Sequence, residues 1–166
     1  MEQLAKLERM IMGWTKDLPH LPTPAKKWLG ENIWWIVVVG VILSAFAVIG
    51  LLRAFFGYLG TFASPVITYY ASPAVVGGLI ITTVVALVFV VIQLALLAFA
   101  INPLKDKQKK GWTLLFVAWL VSAVATVVGA ILTLNPLTMI GNLLFGAVLV
   151  AVTGYFLFEM HGQFRH

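Results

Sequence analysis

Four polar side chains lie within long apolar stretches of the sequence, where their chemistry would act inside a membrane. They are Arg53, Thr82, Gln93 and Asn142. A polar or ionisable side chain in a membrane segment is first read as a functional site. Counted along the apolar segments, Arg53, Thr82 and Asn142 share one depth in the outer third of the bilayer. They could form a small polar pocket that holds an anion at Arg53. The alternative is that Arg53 snorkels to the outer headgroups.

Gln93 and Glu159 lie nearer the inner membrane surface, and we expect both to make structural contacts. Gln93 is expected to hydrogen-bond to a Ser, Thr or backbone group on a neighbouring helix, a contact of about 0.6–2 kcal/mol. That structural role is favoured over a place in a transport path. Glu159 lies on the same side as the lysines of residues 105–110, and a solvent-screened ion pair between them would contribute little stability.

The 166-residue sequence contains no motif for catalysis or cofactor binding. There is no Cys, no Gly-rich phosphate loop, no G-x-S-x-G and no carboxylate pair within the apolar stretches. His20, His161 and His166 lie outside those stretches, which excludes axial ligation of a membrane-embedded haem, and no cluster has metal-ligand spacing. We therefore expect no enzyme activity, no cofactor and no metal. The net charge of +5 comes from short basic segments beside apolar spans, so it does not predict nucleic-acid binding.

The elements that position these residues are transmembrane helices. Residues 79–101, LIITTVVALVFVVIQLALLAFAI, contain no charge, Gly or Pro, and about 20 apolar residues in α-helix cross the hydrocarbon core. With 61% hydrophobic and 10% charged residues, the chain is far more apolar than a soluble domain. The predicted fold is all-α, a polytopic four-transmembrane-helix bundle in one domain. Its spans are expected at about 33–59, 74–101, 112–134 and 136–160.

The segments outside the spans predict two short helices and a connector. Five N-terminal apolar residues recur at helical spacing: Leu4, Leu7, Ile11, Trp14 and Leu18. They predict an amphipathic helix that lies in the membrane interface or packs on its own bundle, and a dedicated partner site is the alternative. Residues 19–30 contain three prolines and predict an extended connector. Residues 66–70 predict a short interfacial helix, with a re-entrant segment as the alternative.

The distribution of Lys and Arg predicts the orientation of the chain. Every Lys and Arg except Arg53 lies before residue 33, within 102–111 or after residue 160. Cytoplasmic loops carry the positive excess, so both termini, including the tail 161–166, are expected in the cytoplasm. The basic residues would also attract anionic lipids. The small size and the absence of an export or sorting motif favour the bacterial inner (plasma) membrane.

Small residues spaced four apart predict how the helices pack. The second span carries Gly78 and Thr82 in such a row, and the third carries Ser122 and Thr126. Helices in lipid associate through close packing of small residues, so we expect these two rows to meet and a Leu at Gly78 or Thr126 to loosen the fold. Asn-Pro-Leu follows the second and third spans, at 102–104 and 135–137, either as a helix terminator or as a trace of duplication.

Two functions are compatible with these patterns. The first is a non-enzymatic membrane protein that acts through helix association, as an accessory, scaffold or assembly subunit in a homo-oligomer or with another membrane protein. The second is a small oligomeric channel or transporter with a polar site near Arg53. The low polarity of the spans and the absence of an acidic residue deep within them favour the first.

Overall fold

The computed structural model describes residues 2–15, 19–64, 72–133 and 135–164. Within the first of these ranges, it describes side chains only from Lys6 to Gly13. All elements in this part of the chain are helical. They are α1 (Glu2–Thr15), α2 (Thr23–Ala63), α3 (Pro73–Lys105), α4 (Lys109–Ile131), α5 (Pro136–Glu159) and a 3-10 turn (His161–Gln163). The helices α2 to α5 are long and apolar enough to cross a membrane. The predicted all-α fold with four transmembrane helices is confirmed, and the protein is an integral membrane protein.

Proline positions explain where three of the helices begin, and Pro73 is the first residue of α3. Pro24 lies in the first turn of α2 and Pro136 in the first turn of α5, where a missing N–H costs no hydrogen bond. Asn135 caps α5, since its side-chain oxygen accepts from the N–H groups of Leu137 at 3.0 Å and Thr138 at 3.3 Å. The prediction that residues 19–30 are wholly extended is wrong, because α2 already begins at Thr23.

The helix α3 continues through Pro103 to Lys105, two residues beyond the predicted end at Asn102-Pro103. A proline in the last turn removes only one helical hydrogen bond, so it does not stop the helix there. The Pro103 carbonyl still accepts from the Gln108 N–H at 2.8 Å, and the chain reverses at Lys107, whose φ is 54°. The two Asn-Pro-Leu segments therefore differ in role, since the first lies inside the end of α3 and the second starts α5.

Each transmembrane helix packs on the next one in sequence, α2 on α3, α3 on α4 and α4 on α5. Within the described residues, α2 and α5 do not pack along their lengths. The buried core lies towards one end of the bundle, which we call the lysine-rich end because it carries Lys26, Lys27 and the lysines of residues 105–110. The main core residues at that end are Ile33, Val37, Ala100, Leu104, Trp112, Leu115, Phe116, Leu157, Phe158, Met160 and Phe164.

The helices α2 and α3 extend farther from this core than α4 and α5. At 1.5 Å per residue, α2 extends about 45 Å from Ile33 to Ala63, whereas α4 extends about 29 Å from Trp112 to Ile131. Measured in the same way, α3 extends about 41 Å from Ala100 to Pro73, close to the length of α2, and α5 extends about 32 Å from Leu157 to Pro136, close to that of α4. From about Arg53 onwards, α2 and α3 therefore continue as a two-helix hairpin past the ends of the other two helices.

Gly111 permits the close approach of α3 and α4, and its replacement is our first prediction. A Cβ at Gly111 would lie 2.6 Å from the backbone nitrogen of Leu104 and 2.8 Å from the carbonyl carbon of Pro103. Because backbone cannot move aside as a flexible side chain can, Gly111→Ala should lower the free energy of unfolding by about 1–2 kcal/mol. Reversible unfolding in detergent measures this. Gly129→Ala in the same helix is the control, since a Cβ there meets nothing within 4 Å, and equal stability of both variants would contradict the prediction.

Candidate functional site between the helices

The four predicted polar residues do not form one site. Arg53 and Asn142 are exposed on α2 and α5, and half-buried Thr82 donates its hydroxyl to the Gly78 carbonyl of its own helix at 2.9 Å. No hydrogen bond joins any two of these three residues in the described part of the chain. Gln93 lies on α3 eleven residues closer to the lysine-rich end than Thr82. Among the described residues, no hydrogen bond therefore links Arg53, Thr82 and Asn142 into a polar pocket.

Gln93 makes the interhelical bond that its sequence context predicts. Its side-chain amide donates to the Ser122 hydroxyl of α4 at 2.7 Å, and that hydroxyl in turn donates to the Ala118 carbonyl at 3.2 Å. Among the described residues, the Gln93 side-chain oxygen accepts no hydrogen bond. The pair thus joins α3 to α4 and leaves one acceptor in an apolar region.

The small-residue row of α4 serves two neighbours. Ser122 contacts α3 through Gln93, whereas the Thr126 methyl group occupies the space where Gly146 of α5 would carry a Cβ. The helices α3 and α4 do pack on one another. The predicted meeting of the two rows is not supported, because Ser122 pairs with Gln93, eleven residues along α3 from Thr82. The contact of Thr126 lies with α5, because successive residues four apart drift around a helix with 3.6 residues per turn.

A cavity of about 460 Å³ lies between the helices on the side where α2 and α5 are not packed. Apolar side chains form nearly all of its wall. The lining residues are Leu29, Ile33, Ile36, Val37, Gly40, Gln93, Leu97, Leu115, Ala118, Trp119, Ser122, Thr153, Phe156, Leu157 and Met160. Two of them on opposite helices, Ile36 and Phe156, are 47% and 39% exposed, so the cavity opens sideways between α2 and α5.

The boundary of the cavity that lies farthest from the lysine-rich end is polar. Gln93 and Ser122 line it there, and they are joined to each other. The third polar residue in the wall, Thr153, donates its hydroxyl to the Leu149 carbonyl of its own helix at 2.7 Å. The cavity therefore offers apolar contact along most of its length and an amide at its far boundary.

An ion-pair cluster joins α2 to α5 at the lysine-rich end of the cavity. The Glu159 carboxylate accepts from Lys26 Nζ at 2.9 Å, from the Leu21 N–H at 2.9 Å and from His20 Nδ1 at 2.6 Å. We call these four residues the Glu159 junction. Because a carboxylate only accepts, His20 must carry its proton on Nδ1. Nearby, the Tyr155 hydroxyl donates to the Pro19 carbonyl at 2.5 Å.

The Glu159 junction replaces the weak pairing that the sequence suggested. The expectation that Glu159 pairs loosely with the lysines of residues 105–110 is wrong. Its side chain is only 6% exposed, and its partners are Lys26 in the first turn of α2 and His20 and Leu21 just before that helix. These partners lie more than 130 residues away in sequence, so no local pattern could have identified them.

The N-terminal helix packs against the same end of the bundle. Leu7 and Ile11 contact the core cluster, and Glu8 Oε1 lies 2.8 Å from His161 Nε2. The ring of His161 in turn lies edge-on to Trp112, with 4.6 Å between ring centroids. Some of the predicted features lie outside the part of the chain that the structure describes. They are the side chains of Leu4 and Trp14 and the residues Leu18, 66–70 and His166. The predictions for them stay predictions.

The geometry of the cavity supports binding of an apolar molecule. Within the residues that the structure describes, no three His, Asp or Glu side chains could hold a metal ion together. No family model, curated protein or solved structure matches this chain. The cavity was not predictable from sequence, because its wall is built from the same residue types as the lipid-facing surface.

Proposed function

We propose that this protein is a non-enzymatic integral membrane protein that acts through helix association, as an accessory, scaffold or assembly subunit. One exposed face of α2 supports this proposal most strongly. Gly50, Arg53, Gly57 and Gly60 lie within an arc of about 80° at 3.6 residues per turn. We call this set the Gly–Arg face. A Cβ at any of its three glycines would meet nothing within 4 Å.

The Gly–Arg face has two features that favour association with a second helix in lipid. Glycines let a second helix approach to close packing distance, and an Arg within an apolar helix gains from a carboxylate or carbonyl partner. Arg53 is exposed and makes no ion pair with the described residues. From Arg53 onwards the face lies where α2 and α3 continue past α4 and α5, so neither of those helices covers that part of it. The partner is a second copy of the chain or another membrane protein.

Site-directed crosslinking tests this proposal. The chain contains no Cys, so Gly57→Cys can carry a single photoactivatable maleimide in native membranes. We expect a protein crosslink of fixed mass from Gly57→Cys. The control is Leu59→Cys, because Leu59 is exposed but lies about 160° around the same helix. Crosslinks to lipid alone from both positions, or equal protein crosslinks from both, would contradict the proposal.

We also propose that both termini are cytoplasmic in a bacterial inner (plasma) membrane. The lysine-rich end carries α1, the 3-10 turn after α5 and the turn between α3 and α4, and cytoplasmic segments carry the positive excess. On this proposal α1 lies at the cytoplasmic surface, where anionic lipids attract its neighbouring lysines. A membrane-impermeant maleimide added outside intact cells should label Ser64→Cys and spare Gln163→Cys. The reverse pattern would contradict this orientation.

An oligomeric channel or transporter is the competing proposal. It is favoured by Arg53, which makes no ion pair with the described residues. In that case several copies would have to surround a polar path, because the cavity described within one bundle has an almost wholly apolar wall. Anion flux into liposomes, lost on Arg53→Ala, would support the channel. Absence of flux together with the Gly57→Cys crosslink would support association.

A further inference from the structure

The cavity between α2 and α5 must contain something when the protein is in a membrane. A site lined by apolar side chains and open to hydrocarbon is not filled by water, which needs two to four polar partners. An empty space would forfeit the dispersion contacts of the wall atoms. The filling material is therefore hydrocarbon, and the remaining question is its source.

The size of the cavity excludes a helix and admits a chain. Its volume of about 460 Å³ falls within the range of about 300–1,000 Å³ for small-molecule sites. A helix is about 10–12 Å across, so ten residues of it would fill more than about 1,000 Å³. A second transmembrane helix cannot enter, whereas an acyl chain can.

The length and the charge of the site identify the rest of the molecule. Lys26 lies one turn before Leu29, and Glu159 directly precedes Met160, so the Glu159 junction borders the cavity at the lysine-rich end. From Lys26 to Gly40 the helix rises about 21 Å, which is half of a bilayer about 40–45 Å thick. The cavity itself covers about 17 Å of this rise, from Leu29 to Gly40, so the cavity and the Glu159 junction together extend over the thickness of one leaflet, from headgroup level to the midplane.

We propose that the cavity binds one acyl chain of an anionic phospholipid, whose phosphate group is held by Lys26. Lys26 is 28% exposed, so its ammonium retains a surface for an external anion. A lysine ammonium has three N–H donors, and Glu159 Oε2 takes one of those of Lys26. Basic sites between helices recognise anionic headgroups in this way. This inference goes beyond the proposed association, which uses the opposite half of α2.

Native mass spectrometry of the full-length protein in detergent tests the proposal by titration with phosphatidylglycerol and phosphatidylcholine. We expect one bound lipid per chain and a preference for phosphatidylglycerol of about tenfold. Gly40→Phe should weaken both lipids at least tenfold, because a Cβ there meets only Leu97 Cδ1 at 3.7 Å and the ring would fill the cavity. Gly141→Phe is the matched control, since Gly141 is exposed with nothing near it, and should bind as the unaltered protein does.

A second pair of measurements separates the contribution of the headgroup to binding from that of the acyl chain. Lys26→Gln should retain both lipids and lose the preference for phosphatidylglycerol. Inorganic phosphate at millimolar concentration should not displace the lipid, because it lacks the chain. Equal binding by Gly40→Phe and Gly141→Phe would overturn the proposal, as would equal binding of the two lipids or displacement by phosphate. If Gly40→Phe does not fold, Thr153→Phe fills the cavity from α5 and takes its place.

Discussion

Trp112→Ala is expected to lower the free energy of unfolding by about 3–5 kcal/mol, the usual cost of removing a large buried aromatic side chain. Trp112 is 0% exposed and lies at the centre of the core. Its ring stacks on Phe116 at 5.4 Å and meets Phe158 edge-on at 5.8 Å between centroids. Its indole N–H also donates to the Leu157 carbonyl at 3.0 Å. One substitution therefore loosens α4 from α5 and removes a hydrogen bond.

The matched control for Trp112 is another tryptophan at the same end of the bundle. Trp28 is 59% exposed, so Trp28→Ala should change stability by less than about 0.5 kcal/mol. Reversible unfolding by denaturant in mixed micelles measures both variants. A loss of similar size for the two would show that burial of Trp112 does not hold the lysine-rich end together.

Glu159→Ala is expected to lower the free energy of unfolding by about 2–3 kcal/mol, because hydrogen bonds to a charged group are among the stronger ones. The substitution removes the acceptor for Lys26, His20 and the Leu21 N–H. It should also release the segment before α2, since the Glu159 junction links it to α5. Hydrogen exchange at Leu21 should rise with the loss of stability.

Glu31→Ala is the control, because it also removes a carboxylate charge but takes it from an exposed ion pair. Glu31 pairs with Lys107 at 3.7 Å, and these side chains are 44% and 49% exposed. Exposed pairs contribute about 0–1 kcal/mol, so this variant should remain close to the unaltered protein. Equal destabilisation by Glu31→Ala and Glu159→Ala would contradict a special role for the junction.

The helices could be predicted from sequence because apolar length is a direct physical requirement for crossing a bilayer. Residues 79–101 lie inside α3, and all four predicted spans lie mainly within helices. The helix ends were less predictable. Pro24 and Pro103 mark possible breaks in any sequence, yet one starts a helix and the other lies in a last turn. Proline excludes a helix interior and is tolerated at both of these positions.

The arrangement of side chains around the helices could not be predicted. Depth along a helix follows from counting residues, and this placed Arg53, Thr82 and Asn142 at one level. Contact also requires the side chains to face each other, and sequence alone does not fix the rotation of one apolar helix against another. The Gln93–Ser122 bond agreed with expectation because a polar group in an apolar helix has few places to find a partner.

The mass of the assembly extracted from native membranes tests helix association most directly. The protein is solubilised in mild detergent at its natural abundance and weighed by native mass spectrometry. We expect a species that contains this chain and at least one further chain in fixed ratio, and Gly57→Leu should reduce it to the single chain. A monomer of 18.2 kDa from the unaltered protein, with only lipid attached, would contradict the proposed function.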